Sequence, residues 1–176
     1  MSEAPEWTVR AEAPGEAAAV FAVNAAAFPS EDEARLVDAL RADAGAWIPE
    51  LSTVALDGAG RVIGHALLTR CTVGGEPALA LAPCAVLPEV QGLGAGSAAI
   101  RAGLEAARAR VAAGGENLVV VLGHAGYYPR FGFTPAAGRG VTGPFEVPED
   151  HFLALALDPQ RPTPRGEIAY PAAFGV

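Results

Sequence analysis

The chain contains no lysine. All twelve of its basic residues are arginine, against twenty Asp and Glu, and the formal net charge is −8. A Schiff base or a nucleophile built on a lysine amine is therefore excluded. The shortage of positive charge, with no run of basic residues, also argues against a nucleic-acid or anionic-membrane surface. It favours instead a cationic partner such as an amine. Cysteine is scarce: Cys71 and Cys84 lack metal-ligand spacing and fit a reducing, cytoplasmic setting better than a disulfide scaffold. No metal site is expected. Long apolar runs are missing too, and none nears the roughly 18 to 20 residues that span a bilayer. The first residues, Met1-Ser2-Glu3-Ala4-Pro5-Glu6, are acidic and lack the basic-then-apolar order of a signal peptide. At 176 residues, 51% hydrophobic and 18% charged, the chain is expected to form a single domain, 1–176, around a substantial core.

What is present concentrates in one stretch. Leu81 to Val86 is an apolar run, Pro88 sits in a bend, and Gln91-Gly92-Leu93-Gly94-Ala95-Gly96-Ser97 carries glycine at every second position before an alanine-rich helical pattern. A strand passing through glycines into a helix start leaves several backbone N–H groups pointing one way, with the positive end of the helix dipole behind them. Such a turn seats a phosphate or diphosphate. Gly92, Gly94 and Gly96 allow positive φ and close approach of a ligand to the backbone. The stretch therefore points to a phosphorylated cofactor.

Gly94-Ala95-Gly96-Ser97-Ala98-Ala99 formally satisfies a dinucleotide fingerprint. That reading needs a carboxylate at the end of the next strand, about 20 residues on. Here Glu116 precedes the strand Leu118-Val119-Val120-Val121-Leu122, and no carboxylate ends it. The loop also lies mid-chain, behind a β-hairpin, rather than opening a domain.

The remaining punctuation is that of an α/β chain. Trp7 to Glu12 alternates as a strand, and Pro14 to Ala27 is a helical run ending before Phe28-Pro29. Ser30-Glu31-Asp32-Glu33 is a capping-box pattern that opens a helix through Leu36, Val37 and Leu40. Strands are expected at Ser52 to Leu56 and Val62 to Val73, around the turn Asp57-Gly58-Ala59-Gly60. Gly74-Gly75 makes a hairpin into a strand over Ala78 to Val86. The helix after the Gly-rich loop carries Ile100, Leu104, Ala107 and Val111 on one face, with Arg101, Glu105 and Arg108 on the other, and ends at Gly114-Gly115. The strand 118–122 is expected to be buried on both faces. Phe152 to Leu157 and Glu167 to Tyr170 read as strands in a Pro-rich tail.

Two motifs carry a resemblance. Gln91-Gly92-Leu93-Gly94-Ala95-Gly96 resembles the Q/R-x-x-G-x-G/A loop of the GNAT superfamily of acyl-CoA-dependent N-acetyltransferases. Farther on, His124-Ala125-Gly126-Tyr127-Tyr128-Pro129-Arg130-Phe131-Gly132-Phe133 resembles that family's F-Y-x-K-x-G-F motif. The Tyr-Tyr-Pro-Arg-Phe-Gly-Phe wording, Leu36-Val37-Asp38-Ala39-Leu40-Arg41 and the long tail look like the YhbS-like branch. The likeness runs from about Trp7 to Phe174. It implies a mixed α/β fold, with a central, mostly antiparallel, twisted sheet flanked by helices. The C-terminal strands over 136–176 would complete that sheet after a core over about 7–135. It also implies acetyl transfer from acetyl-CoA to a primary amine by direct attack.

By the same resemblance Cys84, Ala85 and Val86 pair with the pantetheine arm, while Gln91, Gly92, Leu93, Gly94, Ala95, Gly96 and Ser97 hold the diphosphate. The small residues Cys84 and Ala85, beside a bulky Tyr128, fit an acyl pocket sized for acetyl or propionyl. Tyr128 occupies the general-acid position, and a phenol, with a pKa of about 10, is protonated at neutral pH. Where many members carry an asparagine ahead of this Tyr, the present chain has Val121. The base stays open among Glu31, Glu33 and His124. Glu31 and Glu33 also fit helix N-terminal roles, and His124 also fits a loop residue bonded to backbone. His65 and His151 read as structural. Cys84 is expected to line the pantetheine arm rather than to accept the acyl group. The acceptor, a small molecule or a peptide N-terminus, is not selected by any motif, and homodimerisation stays open. A catalytically silent acyl-CoA sensor or assembly module would share the loop but need neither Tyr128 nor an open cleft. A nucleotide-dependent oxidoreductase would instead bind nicotinamide or flavin.

Overall fold

The computed structural model describes residues 7–144 and 146–176, so the acidic Met1–Glu6 segment lies outside the described residues. The described chain contains nine strands and three α-helices, joined by short 3-10 turns. It packs as two compact units. One comprises the residues up to Leu68 with Ala82–Ala106, and the other comprises Thr69–Leu81 with Ala107–Val176.

In the first unit β1 (Thr8–Ala11) lies antiparallel to β2 (Ser52–Leu56), which pairs in turn with β3 (Val62–Val73) in the register Ser52↔Leu67 and Thr53↔Ala66. The β2–β3 turn is the expected one. The Asp57 carboxylate accepts from the N–H groups of Ala59 and Arg61 at 2.9 and 3.0 Å, which is an Asx turn. Helix α1 (Ala17–Ala27) is nearly all alanine and valine, so burial and not an amphipathic stripe orients it; Val20, Val23 and Asn24 turn inward. It packs on α2 (Asp32–Arg41), which buries Ala34, Val37 and Leu40.

The capping box is not what starts α2. Ser30 Oγ accepts from the N–H of Asp32 at 3.2 Å, one residue short of the box geometry. Glu33 does not reach back; its Oε2 is buried without a hydrogen-bond partner. A two-residue Ser turn satisfies the helix start locally, and the Glu33 carboxylate takes no part in it.

Beneath the helices runs a buried polar chain. Asn24 Nδ2 donates to the Val20 carbonyl at 3.0 Å and stands 3.1 Å from His65 Nδ1. His65 Nε2 is 2.9 Å from Ser52 Oγ, which is 2.7 Å from Glu12 Oε1. Arg41 closes the chain with both terminal nitrogens on the Glu12 carboxylate. Direction follows from the donor inventory. The amide N–H makes Nδ1 the acceptor, so the neutral ring carries its proton on Nε2 and donates to Ser52. The Ser52 hydroxyl then donates to Glu12. Burial, with the Arg41 charge added to it, lowers the His65 pKa to about 3, in keeping with that neutral ring.

The second unit contains the rest of β3 and the start of β4 (Glu76–Val86), then β5 (Leu118–Leu122), β6 (Thr134–Pro135), β7 (Val141–Thr142), β8 (Phe152–Ala156) and β9 (Gly166–Ala169). A parallel ladder joins Leu79 to Val119 and Ala80 to Val120. Strand β5 pairs antiparallel with β8 over its whole length, from Leu118↔Ala156 to Leu122↔Phe152. Strand β9 is antiparallel to β3 and parallel to β7, and β6 is antiparallel to β8. Antiparallel pairs dominate, as the resemblance implied. Strands β3 and β4 and helix α3 (Ala95–Val111) each run without a break from one unit into the other. Ile100, Leu104, Ala107 and Val111 of α3 are buried and Arg101, Glu105 and Arg108 exposed, as the periodicity predicts.

The expectation of a two-sided burial for 118–122 holds only to Val121. Leu122 is 44% exposed, because the strand ends there and the chain turns away at Gly123.

His65 makes stability pH-dependent. Its depressed pKa gives a contribution that is complete above pH 6.5 and lost as the pH falls toward about 3, because the unfolded ring takes up a proton that the folded ring refuses. Urea unfolding between pH 7 and 4 should show stability falling by up to about 1.4 kcal/mol per unit below 6.5. A His65→Gln variant should be less stable at pH 7 but lack that component of the slope; an unchanged slope would remove His65 as its source.

Candidate active site

The Gly-rich segment is assembled within the first unit. At the end of β4, Ala85 is buried while Cys84 and Val86 are half-buried. The Leu87 N–H donates to the Ile63 carbonyl at 2.9 Å, fixing the strand end to β3. A 3-10 turn, Pro88–Val90, leads to Gln91, whose side-chain amide donates back to the Val86 carbonyl at 3.1 Å. Gln91 through Gly94 are exposed, and α3 begins at Ala95 with Ala98 N–H donating to the Gly94 carbonyl.

Gly92 and Gly94 have φ of +79° and +91°, a region where a Cβ is strained. Gly96 does not. It lies in the first turn of α3 with helical neighbours, so its use is the missing side chain and not a left-handed backbone. The N–H groups of that turn have no intrahelical acceptor by construction. The loop is held by a contact sequence reasoning missed: Trp7 Nε1 donates to the Leu93 carbonyl at 3.0 Å. A lone tryptophan ahead of a strand carries no signal for that. Gly64 was missed too. A Cβ there would stand 3.2 Å from the methyl of Ala55, its partner on β2, and at an ordinary 3.9 Å from that of Ala95, so its absence eases the β2–β3 pairing.

Of the base candidates in this unit, Glu31 is exposed and pairs with Arg35 at 3.7 Å, a surface i,i+4 pair of little energetic weight. Glu33 is different. Its Oε2 is buried without a hydrogen-bond partner, as are Asn24 Oδ1 and Arg41 Nε in the same unit.

The second unit holds Tyr128 and His124. Tyr128 opens a 3-10 turn, Tyr128–Phe131, closed by Gly132 at φ +99°. The ring of Tyr128 packs edge-on against Tyr127 and Phe133 at centroid distances of 5.1 and 6.0 Å. Its seat is Gly123: a Cβ there would fall 2.2 Å from Tyr128 Cε2, an impossible contact. Tyr127 is occupied differently. The Arg130 guanidinium lies 4.4 Å over its ring while Arg130 Nε donates to its carbonyl at 2.8 Å. His124 is exposed, and its carbonyl accepts from the N–H groups of Tyr127 and Tyr128 at 3.1 and 3.3 Å. Its ring meets that of His151 edge to face at 5.9 Å. Among the described residues no group of three or more His, Cys, Asp or Glu could hold a metal ion.

A glycine-rich turn into a helix, a Tyr-bearing turn after β5 and a mixed, mostly antiparallel sheet define an acetyltransferase fold. Residues 17–133 match the model of the Acetyltransferase (GNAT) family. The chain is 43% identical over 154 residues to the uncharacterized N-acetyltransferase YjhQ of Escherichia coli, covering 83% of this chain and 82% of that protein. It belongs to the GNAT family. The crystal structure of E. coli YhbS in complex with CoA superposes with a TM-score of 0.86 at 28% identity, over 100% of this chain and 96% of that one. A GNAT acetyltransferase from Brucella melitensis in complex with acetyl-CoA gives 0.74 at 35% identity, over 96% and 98%.

The Gly123 seat is testable without any substrate. Gly123→Ala should displace the Tyr128 ring and cost about 1–3 kcal/mol in denaturant unfolding, with a changed near-UV circular dichroism spectrum. An undisturbed spectrum and stability would mean the ring is not held there.

Proposed function

We propose that the chain is an acetyl-CoA-dependent N-acetyltransferase in which residues 1–176 act as one domain, transferring acetyl directly to a primary amine. The observation that carries this reading is the Gly92–Gly94 turn, left-handed at both glycines and continuous with α3, in a chain whose relatives are crystallised with CoA and acetyl-CoA. Gln91 to Ser97 would take the diphosphate on backbone N–H groups. Cys84, Ala85 and Val86 would offer the pantetheine arm backbone groups at the end of a strand whose parallel ladder with β5 is described at Leu79 and Ala80. A cytoplasmic setting belongs to the same proposal and is supported by two cysteines outside any disulfide.

The chemistry balances without a cofactor beyond the thioester. The neutral amine attacks the thioester carbonyl carbon, a C–N bond forms, and the carbonyl electron pair moves onto oxygen. Collapse of that intermediate breaks the C–S bond, and sulfur leaves with the pair. Tyr128 gives the thiolate a proton and the nitrogen loses one to a base; the base then returns its proton to the Tyr128 phenolate through solvent, so that the net transfer is from nitrogen to sulfur. The motif position supports Tyr128, and its packed ring restricts where the hydroxyl points. The base stays among Glu33, which keeps a buried oxygen without a partner, His124, which is exposed, and Glu31, which pairs with Arg35.

Two substitutions test this. Gly94→Val should raise the calorimetric Kd for acetyl-CoA about tenfold, from a β-branched residue forced to positive φ at roughly 1–2 kcal/mol; undiminished affinity would take the loop out of the binding site. Tyr128→Phe removes only the hydroxyl, so folding and acetyl-CoA affinity should survive. Turnover, followed as free thiol across a panel of amines, should fall in kcat by about 100- to 10,000-fold, while Tyr127→Phe costs little. Near-wild-type turnover by Tyr128→Phe would make water or another residue the acid. Acetyl-CoA binding with no thiol release on any amine would favour a silent acyl-CoA sensor.

A further inference from the structure

A hollow of about 270 Å³ lies in the second unit, lined by Leu122, Gly123, His124, Val147 and His151. Its walls are built by hydrogen bonds rather than by chance apposition. The Gly123 N–H donates to the His151 carbonyl at 2.8 Å, tying the end of β5 to the turn before β8, and the His151 N–H donates to the Pro148 carbonyl at 2.9 Å. Two of the four large hydrophobic side chains exposed among the described residues, Leu122 at 44% and Val147 at 40%, belong to it. Two of the chain's three histidines line it as well, in edge-to-face contact. The combination is an apolar floor with two imidazoles at its edge.

The surroundings select a charge. The segment that supplies Val147 and His151 also carries Glu146, Glu149 and Asp150 and no arginine, and the Asp150 carboxylate is 3.9 Å from His151 Nδ1. In a chain of net charge −8 this rim favours a cation. Gly123 is shared: one of its sides lines the hollow, and the Tyr128 ring rests against the same residue.

We propose that this hollow is the acceptor subsite and that it takes a small primary amine carrying an apolar arm. The inference rests on the acetyltransferase reading and narrows its acceptor. The arm covers Leu122 and Val147, while the nitrogen sits toward the imidazoles and the acidic rim. The volume lies at the small end of ligand sites, which suits an arylalkyl or short alkyl amine and disfavours an aminoglycoside.

The histidines supply the readout. His65 is buried and stays neutral through neutral pH, so its ring signals are set apart in a pH titration, and the remaining imidazole signals belong to His124 and His151. The full chain, saturated with CoA, is titrated with phenethylamine and separately with ethanolamine while these signals are followed by NMR. Phenethylamine should move both sets saturably, and ethanolamine should bind at least about tenfold more weakly, since only the first buries an apolar arm. Leu122→Gln, an exposed change that should not disturb folding, should weaken phenethylamine about tenfold and leave CoA affinity unchanged. Equal binding of the two amines, still signals, or a Leu122→Gln effect on self-association alone would overturn the proposal. Acetyl-CoA affinity measured on the same samples tests the parent reading separately. If acetyl-CoA does not bind, that reading falls and the acceptor assignment with it; if acetyl-CoA binds and phenethylamine does not, the subsite alone falls.

Discussion

The first unit depends on one line of hydrogen bonds. From Asn24 through His65, Ser52 and Glu12 to Arg41 it joins α1, β3, β2, the end of β1 and α2. Each member is committed to a direction, because the amide N–H at one end and the guanidinium at the other leave a single consistent placement of protons. A buried chain of this kind contributes little net stability when complete and costs much when broken, since a lost partner strands a buried donor or acceptor. Its effect is to fix geometry: the α1–α2 pair, and with it the Glu33 carboxylate, has one registry on the sheet.

That registry explains why Glu33 is left with a bare oxygen. Alanine-rich α1 cannot choose its own orientation, having no polar face and no charged residue in its eleven positions. Asn24, its single polar residue, makes the choice by reaching His65. Once α1 is set, α2 follows by packing, and Ser30 satisfies the start of α2 through Asp32 rather than through Glu33. The Glu33 carboxylate is therefore not drawn into the cap, and one of its oxygens stays buried without a partner.

Features written in short-range residue chemistry were legible. Glycines at a strand-to-helix turn, an Asx turn, paired hairpin glycines and the 3.6-residue stripe of α3 all sit where local rules put them. So did the Tyr-bearing motif, whose Pro129 and Gly132 fix a single 3-10 turn. Illegible were contacts between residues far apart in the chain. Trp7 and Leu93 have no pattern linking them, and neither have Gly123 and the ring it seats, or Asn24 and His65. The capping-box reading failed for a related reason. Two local bonds compete for the same Ser30 oxygen, and only the packing of the helix decides between them. Leu122 was assigned to the core because periodicity cannot see where a strand stops being covered.

The missing lysines bear on both the packing and the chemistry of the chain. Structural ion pairs here use the planar fork of arginine. Arg41 takes Glu12 with both terminal nitrogens, Arg10 does the same to Glu16, and Arg70 and Arg110 clamp Glu116 from two sides. An ammonium would supply charge without that geometry. Chemically the consequence is larger. A lysine side chain carries a primary amine, which can attack a bound acetyl thioester as the acceptor amine does. On the acetyltransferase reading, a chain with no lysine offers no such amine from its own side chains, so the thioester is spent on the amine that enters the site.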